Sequence, residues 1–128
     1  MNFIKAAVLI KKEDKYLLVQ EKAKRSYGLW NWPQGKVKEG ELPEQAAIRE
    51  AQEETGFNIK IIRKVEVLEK TFSDTKELHV FLGEIVDGEL NFPEDEILDI
   101  KWFAPDEIET MKEKLVGQWV FETVKLVK

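Results

Sequence analysis

The sequence predicts one mixed domain of the α/β or α+β class. Three observations carry this. Two apolar, β-branched runs, 3–10 (FIKAAVLI) and 16–20 (YLLVQ), flank a polar turn. The stretch 43–55 is bracketed by Pro43 and Gly56, a start and a stop signal for a helix. Further strand-like runs at 59–68 and 78–86 are followed by helical stretches. Strands interleaved with a few helices build a mixed domain. With 128 residues the chain has the size of one ordinary domain, and no linker, repeat or low-complexity tract divides it.

The first two runs read as a hairpin or as neighbouring strands around Lys11-Lys12-Glu13-Asp14-Lys15. Residues 21–34 read as a basic and aromatic connection, with Lys22, Lys24 and Arg25, then Trp30 and Trp32. Pro43 suits the first helical position because its missing N–H has no partner there anyway. Asp87-Gly88 is a turn signal. Trp102-Phe103 reads as the end of a short strand, Pro105-Asp106-Glu107 as the start of a second helix, and 116–127 as a third.

Composition narrows the chemistry. There is no cysteine, so disulfides, thiol nucleophiles and thiolate metal sites are excluded, and one histidine excludes multi-histidine sites. A tightly bound metal would be held by oxygen, which suits magnesium, manganese or calcium. A net charge of −5 argues against a grip on long nucleic acid, which needs a basic surface. The N-terminus runs straight into a strand, with no signal-peptide pattern and no apolar run of bilayer length, so a cytoplasmic location is the expectation.

At about 100° per residue, Glu50, Glu53 and Glu54 share one face of the first helix. Ala47 and Ala51 lie on the neighbouring face, with Ile48 beyond, and Arg49 projects beside Glu53. Like charges at this spacing cost roughly 0.2–0.5 kcal/mol per pair. They also sit near the C-terminal end, where the helix dipole disfavours anions. A divalent cation reverses that penalty. Spacing alone is equally compatible with a solvated acidic face, the commoner case.

The wider segment adds a resemblance. Gly35, Glu41, Arg49, Glu50, Glu53, Glu54 and Gly56 stand at spacings that closely resemble the Nudix box, G-x5-E-x7-R-E-U-x-E-E-x-G-U, where U is bulky and apolar. Every charged and glycine position is met. Ala51 is small for the first U and Phe57 is aromatic for the last. The segment covers 23 of the 128 residues. The approach YGLWNWPQGKVKEGE and the later stretches TFSDTKELHVFLGEIVDGEL and EILDIKWFAPDEI are similar to the flanks of MutT-type members.

The resemblance implies an α+β fold, an α/β/α sandwich with a mixed sheet between helices and the box as loop–helix–loop. It implies a magnesium-dependent hydrolase, manganese also being suitable, that cuts the pyrophosphate linkage of a nucleoside diphosphate derivative. Within that class it points to a MutT-like nucleoside triphosphate pyrophosphohydrolase. Dinucleoside polyphosphates and RNA 5′ ends are the alternative, because WPQGK is similar to the approach in those enzymes. ADP-ribose and other nucleotide sugars lie in the same class. A non-catalytic nucleotide sensor is the alternative outside it, and that reading predicts lost box carboxylates.

Carried over by position, Glu50, Glu53 and Glu54 would be metal ligands, with the backbone carbonyl of Gly35. Arg49 would orient a catalytic glutamate, Glu53, and Glu41 would brace the loop. The proton acceptor would be Glu53, Glu54 or an acid in the loop before Trp102-Phe103, Glu96 ahead of Glu94. Arg25, Lys36 and Lys38, with Lys22 and Lys24, are candidates for substrate phosphates. Trp30, Trp32 and Phe72, with Trp102, are candidates for stacking on a base. His79 reads as a fitted strand histidine. The expected partner is a small nucleotide, with neither long nucleic acid nor membrane, and the expected state a monomer or homodimer.

Overall fold

The structure is a computed structural model that describes residues 2–69 and 71–127. In chain order the elements are β1 (Phe3–Lys12), β2 (Lys15–Glu21), β3 (Trp30–Asn31), β4 (Gln34–Lys36), α1 (Pro43–Thr55), β5 (Phe57–Glu69), β6 (Thr75–Gly88), β7 (Ile97–Phe103), α2 (Pro105–Thr110) and α3 (Gln118–Lys125). The seven strands form one sheet, ordered β3-β2-β1-β6-β5, with β4 paired to β1 and β7 to β2. All the pairings are antiparallel except that of β1 with β6, which is parallel.

Strand alternation sorts the core into two halves. Ala6, Val8 and Ile10 of β1, Leu17 and Val19 of β2 and Phe81 of β6 pack against Ala46, Ala47 and Ala51 of α1. Ala7 and Leu9 face the other way, and join Leu18, Trp30, Trp32 and Val80 against Val120 and Val124 of α3. Helices therefore cover both faces, as a parallel pair such as β1–β6 requires. The expected mixed sheet between helices is the fold observed.

Three local expectations differ from the structure. The connection 21–34 contains a strand, β3, and runs into another, β4. These pieces of two and three residues show no periodicity of their own; they exist because β2 and β1 offer them partners, with Val19 facing Asn31 and Ala6 facing Gly35. Asp87-Gly88 does not reverse the chain. They are the last two residues of β6, and Gly88 takes a left-handed φ of 100° while facing Phe57. The third helix is shorter than 116–127, because Gly117 is extended and α3 starts at Gln118. Among the described residues, no helix is long and apolar enough to cross a membrane.

Candidate active site

α1 is fixed at both ends. The Leu42 N–H donates to Gln45 Oε1 at 2.9 Å ahead of Pro43. At the other end Gly56 turns left-handed (φ 83°) and its N–H donates to the Gln52 carbonyl at 2.9 Å. A Cβ at Gly56 would collide with the Glu89 carbonyl, so glycine lets the segment after β6 lie against the helix end. There the Asn91 N–H donates to the Thr55 carbonyl at 2.9 Å.

Arg49 ties the loop before α1 to the helix face. Its Nε and Nη2 donate to the two oxygens of Glu41 at 2.9 and 3.0 Å. Nη2 also donates to the Lys36 carbonyl at 2.9 Å. Nη1 donates to Glu50 at 2.8 Å and to Glu53 at 3.2 Å. The surrounding carboxylates raise the guanidinium pKa further, so its charge is permanent. Glu41 braces the loop: besides Arg49, it accepts the Lys38 N–H at 3.0 Å.

These bonds, that from Arg49 first, hold the Glu41 carboxyl down to about 2 from an ordinary 4.5. A depressed carboxyl stabilises the fold above its unfolded pKa and loses that contribution as pH falls through its folded one. Acid unfolding followed by tryptophan fluorescence is therefore expected to include a destabilisation between pH 4.5 and about 2 that Glu41→Gln lacks.

Glu50 and Glu54 form the inner pair. Gln34 on β4 donates its N–H to Glu54 Oε2 at 3.2 Å. A Cβ at the next residue, Gly35, would lie within 2.5 Å of the Glu50 carboxylate, so only glycine lets the β4 backbone lie this close. Burial raises the Glu54 pKa well above the usual carboxylate range, helped by the charge of Glu50, a hydrogen bond to it, and the charge of Glu21. A bound cation would cancel that effect. Glu53 differs: Arg49 draws it aside and half of its side chain is exposed, against 15% for Glu50. Among the described residues, no three acidic or histidine side chains converge as a ready metal cage. The all-oxygen donor set and the glycine cradle nevertheless fit a hard divalent cation, which shares its shell with water and substrate phosphates.

The remaining sequence candidates scatter. Glu94 and Glu96 are exposed. Their loop is tethered by Lys22, whose Nζ donates to the Glu94 carbonyl at 3.0 Å and whose N–H donates to the Glu96 carbonyl at 3.1 Å. Glu53 borders a surface hollow with Asn91, Phe92 and Pro93 of the same loop. Arg25 and Lys36 do border the site. They line a cleft of about 220 Å³ with Lys5, Gln34, Gly35 and Phe72. Lys38 and Lys24 are exposed.

The aromatic candidates need correction. Trp32 is fully buried, with its Nε1 donating to Thr123 Oγ1 at 2.9 Å, and Trp30 is buried edge-on against Phe103. Both belong to the core cluster on the α3 side, so neither presents a ring to a base. Trp102 packs against Phe57 beside a separate hollow. Phe72 remains in the cleft, with Lys5 5.4 Å and Arg25 4.9 Å from its ring centre. His79 pairs with Glu77 on β6.

Two cleft residues escaped the sequence reading. Lys5 is 8% exposed and pairs with Asp74 at 3.0 Å. Glu21 ends β2. Both are charged residues on strand positions whose neighbours at every second residue are apolar, and that break in alternation was the available signal.

A family model described as the NUDIX domain matches residues 1–124. The oxidized purine nucleoside triphosphate hydrolase of Mus musculus is 35% identical over 104 residues, 79% of this chain and 65% of that protein. An m7GpppN-mRNA hydrolase of Caenorhabditis elegans is 34% identical over 110 residues, 83% of this chain and 14% of that protein. A solved NUDIX hydrolase from Nitrosomonas europaea superposes with a TM-score of 0.83 at 27% identity, over 98% of this chain and 88% of that one. The chain spans less than two thirds of the length of the curated relatives it matches. The glycine-cradled carboxylates, the arginine that binds them and a domain match over nearly the whole chain lead to one statement: the chain belongs to the Nudix family.

Proposed function

We propose that this protein hydrolyses a pyrophosphate linkage in a nucleoside diphosphate derivative with the help of magnesium or manganese. The observation that carries the reading is the corner where Gly35, Glu50 and Glu54 meet, braced by Arg49. Glu50, Glu54 and the Gly35 carbonyl would hold the ion, with Glu53 within reach on the next turn. When bound, the ion supplies charge neutralisation at the phosphates and a lowered pKa for water.

The protein's own part is orientation and proton transfer. Glu53 is the most open of the three glutamates and keeps a single contact to Arg49. It accepts the proton as water oxygen bonds to phosphorus, the P–O bond of the anhydride breaks, and the leaving phosphate departs with the electron pair. The cleft beside Gly35 brings Lys5, Arg25 and Lys36 to one side, which suits the phosphates of the substrate, and Phe72 to the same wall.

A nucleoside triphosphate, cut to monophosphate and pyrophosphate in the MutT manner, is the substrate we favour, and the mouse relative supports it. An RNA 5′ end is the second reading, supported by the mRNA hydrolase relative.

The test is phosphate and pyrophosphate release with magnesium on nucleoside triphosphates, dinucleoside polyphosphates, ADP-ribose and capped RNA. Turnover that needs magnesium and falls about a hundredfold in Glu53→Gln is expected. Absence of turnover on every compound, with nucleotide binding indifferent to the substitution, would replace the enzyme with a sensor.

A further inference from the structure

Glu21 lies outside the box, at the end of β2. By strand parity it follows Leu17 and Val19, on the sheet face that packs against α1. Both of its oxygens are held. Ser26 Oγ donates to one at 2.5 Å and Asn31 Nδ2 to the other at 2.6 Å. Both donors are buried and neutral. Among the described residues, no lysine or arginine pairs with this carboxylate.

Glu21 lines the same cleft as Gln34 and Gly35. Gln34 is the residue whose N–H holds Glu54, and Gly35 is the residue that borders Glu50. Two buried amide oxygens in these surroundings, Asn31 Oδ1 and Gln34 Oε1, have no protein donor. Although Lys5, Arg25 and Lys36 line the same cleft, none of them pairs with Glu21, and the two amide oxygens lack donors. Buried acceptors left in that condition are costly unless an occupant satisfies them. Bracing alone does not explain the charge. A glutamine at this position would satisfy both Ser26 and Asn31, because a hydroxyl accepts as well as donates.

We propose that Glu21 is a further acidic residue of the metal site, adding its charge to the hold of Glu50 and Glu54 on the divalent cation. The inference rests on the metal-dependent reading above. It is tested by titrating manganese alone into nucleotide-free protein and reading free Mn2+ by electron paramagnetic resonance. Glu21→Gln is expected to weaken Mn2+ binding about tenfold, the lower end for loss of a supporting group at a metal site. Ser26→Ala removes one hydrogen bond and keeps the charge, so it is expected to leave Mn2+ affinity unchanged.

Unchanged affinity in Glu21→Gln overturns the proposal. So does an equal loss in Ser26→Ala, which would make Glu21 a brace for residues 22–28; should Glu21→Gln not fold, a tenfold loss in Ser26→Ala overturns the proposal on its own. Glu50→Gln and Glu54→Gln separate the two levels. If Mn2+ binds both as tightly as the parent, the metal-dependent reading itself falls, whatever Glu21 does.

Discussion

Gly35→Ala is expected to lower turnover about a hundredfold, the scale of a catalytic group misplaced by about an ångström, while leaving the fold intact. The three atoms nearest the added methyl all belong to the Glu50 carboxylate. That carboxylate is the end of a flexible side chain, so it can swing away at little cost to stability. What is lost is its place beside β4. The readouts are kcat, Mn2+ affinity and the thermal midpoint. A fall in the first two with a steady midpoint supports the cradle. A lower midpoint with retained metal affinity would mean that the glycine serves the fold.

Arg49→Lys should cost both stability and rate. Arg49 spends its planar fork on Glu41 and turns its remaining hydrogens to Glu50, Glu53 and the Lys36 carbonyl. A lysine ammonium keeps the charge, but cannot present two parallel donors to Glu41 while reaching the helix face. The guanidinium is about one-fifth exposed, which tempers the loss to about 2 kcal/mol, within the range for hydrogen bonds to charged groups. Urea unfolding measures it. The rate should fall about tenfold to a hundredfold as Glu53 loses its guide. In a cycle with Glu41→Gln, the two effects are expected to be non-additive, as for residues in such contact. Additive effects would show that Arg49 acts on the helix face alone.

The parts of the molecule that were legible in the sequence are those with a local cause. α1 runs from Pro43 to Thr55, where the proline, the glycine and the i, i+3, i+4 glutamates place it. The long strands show in their apolar runs. Illegible were features that depend on a distant partner. β3 and β4 are strands only because β2 and β1 lie beside them. Trp30 and Trp32 sit in a basic, polar-looking connection, yet they are core residues, Trp30 because β3 docks on β2 and Trp32 because its indole reaches Thr123 of α3. The contact of Arg49 with Glu53 is local and was legible in the helix spacing, whereas its shorter bond to Glu50 and the greater exposure of Glu53 were not. Glu21 and Lys5 join the cleft through the sheet, which no short window of sequence contains.

The pairing of β1 also bears on how the molecule is made. Ala6 faces Gly35 on one side and His79 on the other. During synthesis the whole signature segment, helix included, leaves the ribosome while the strand that will flank β1 is still unwritten. Contacts between such remote stretches form late and slowly, because the intervening chain must first be ordered. Until β6 arrives, one side of β1 is an open row of amides and carbonyls, the kind of edge that recruits other chains. A nascent chain stalled before β6 would thus carry every residue of the motif, yet lack the strand that holds it in a sheet.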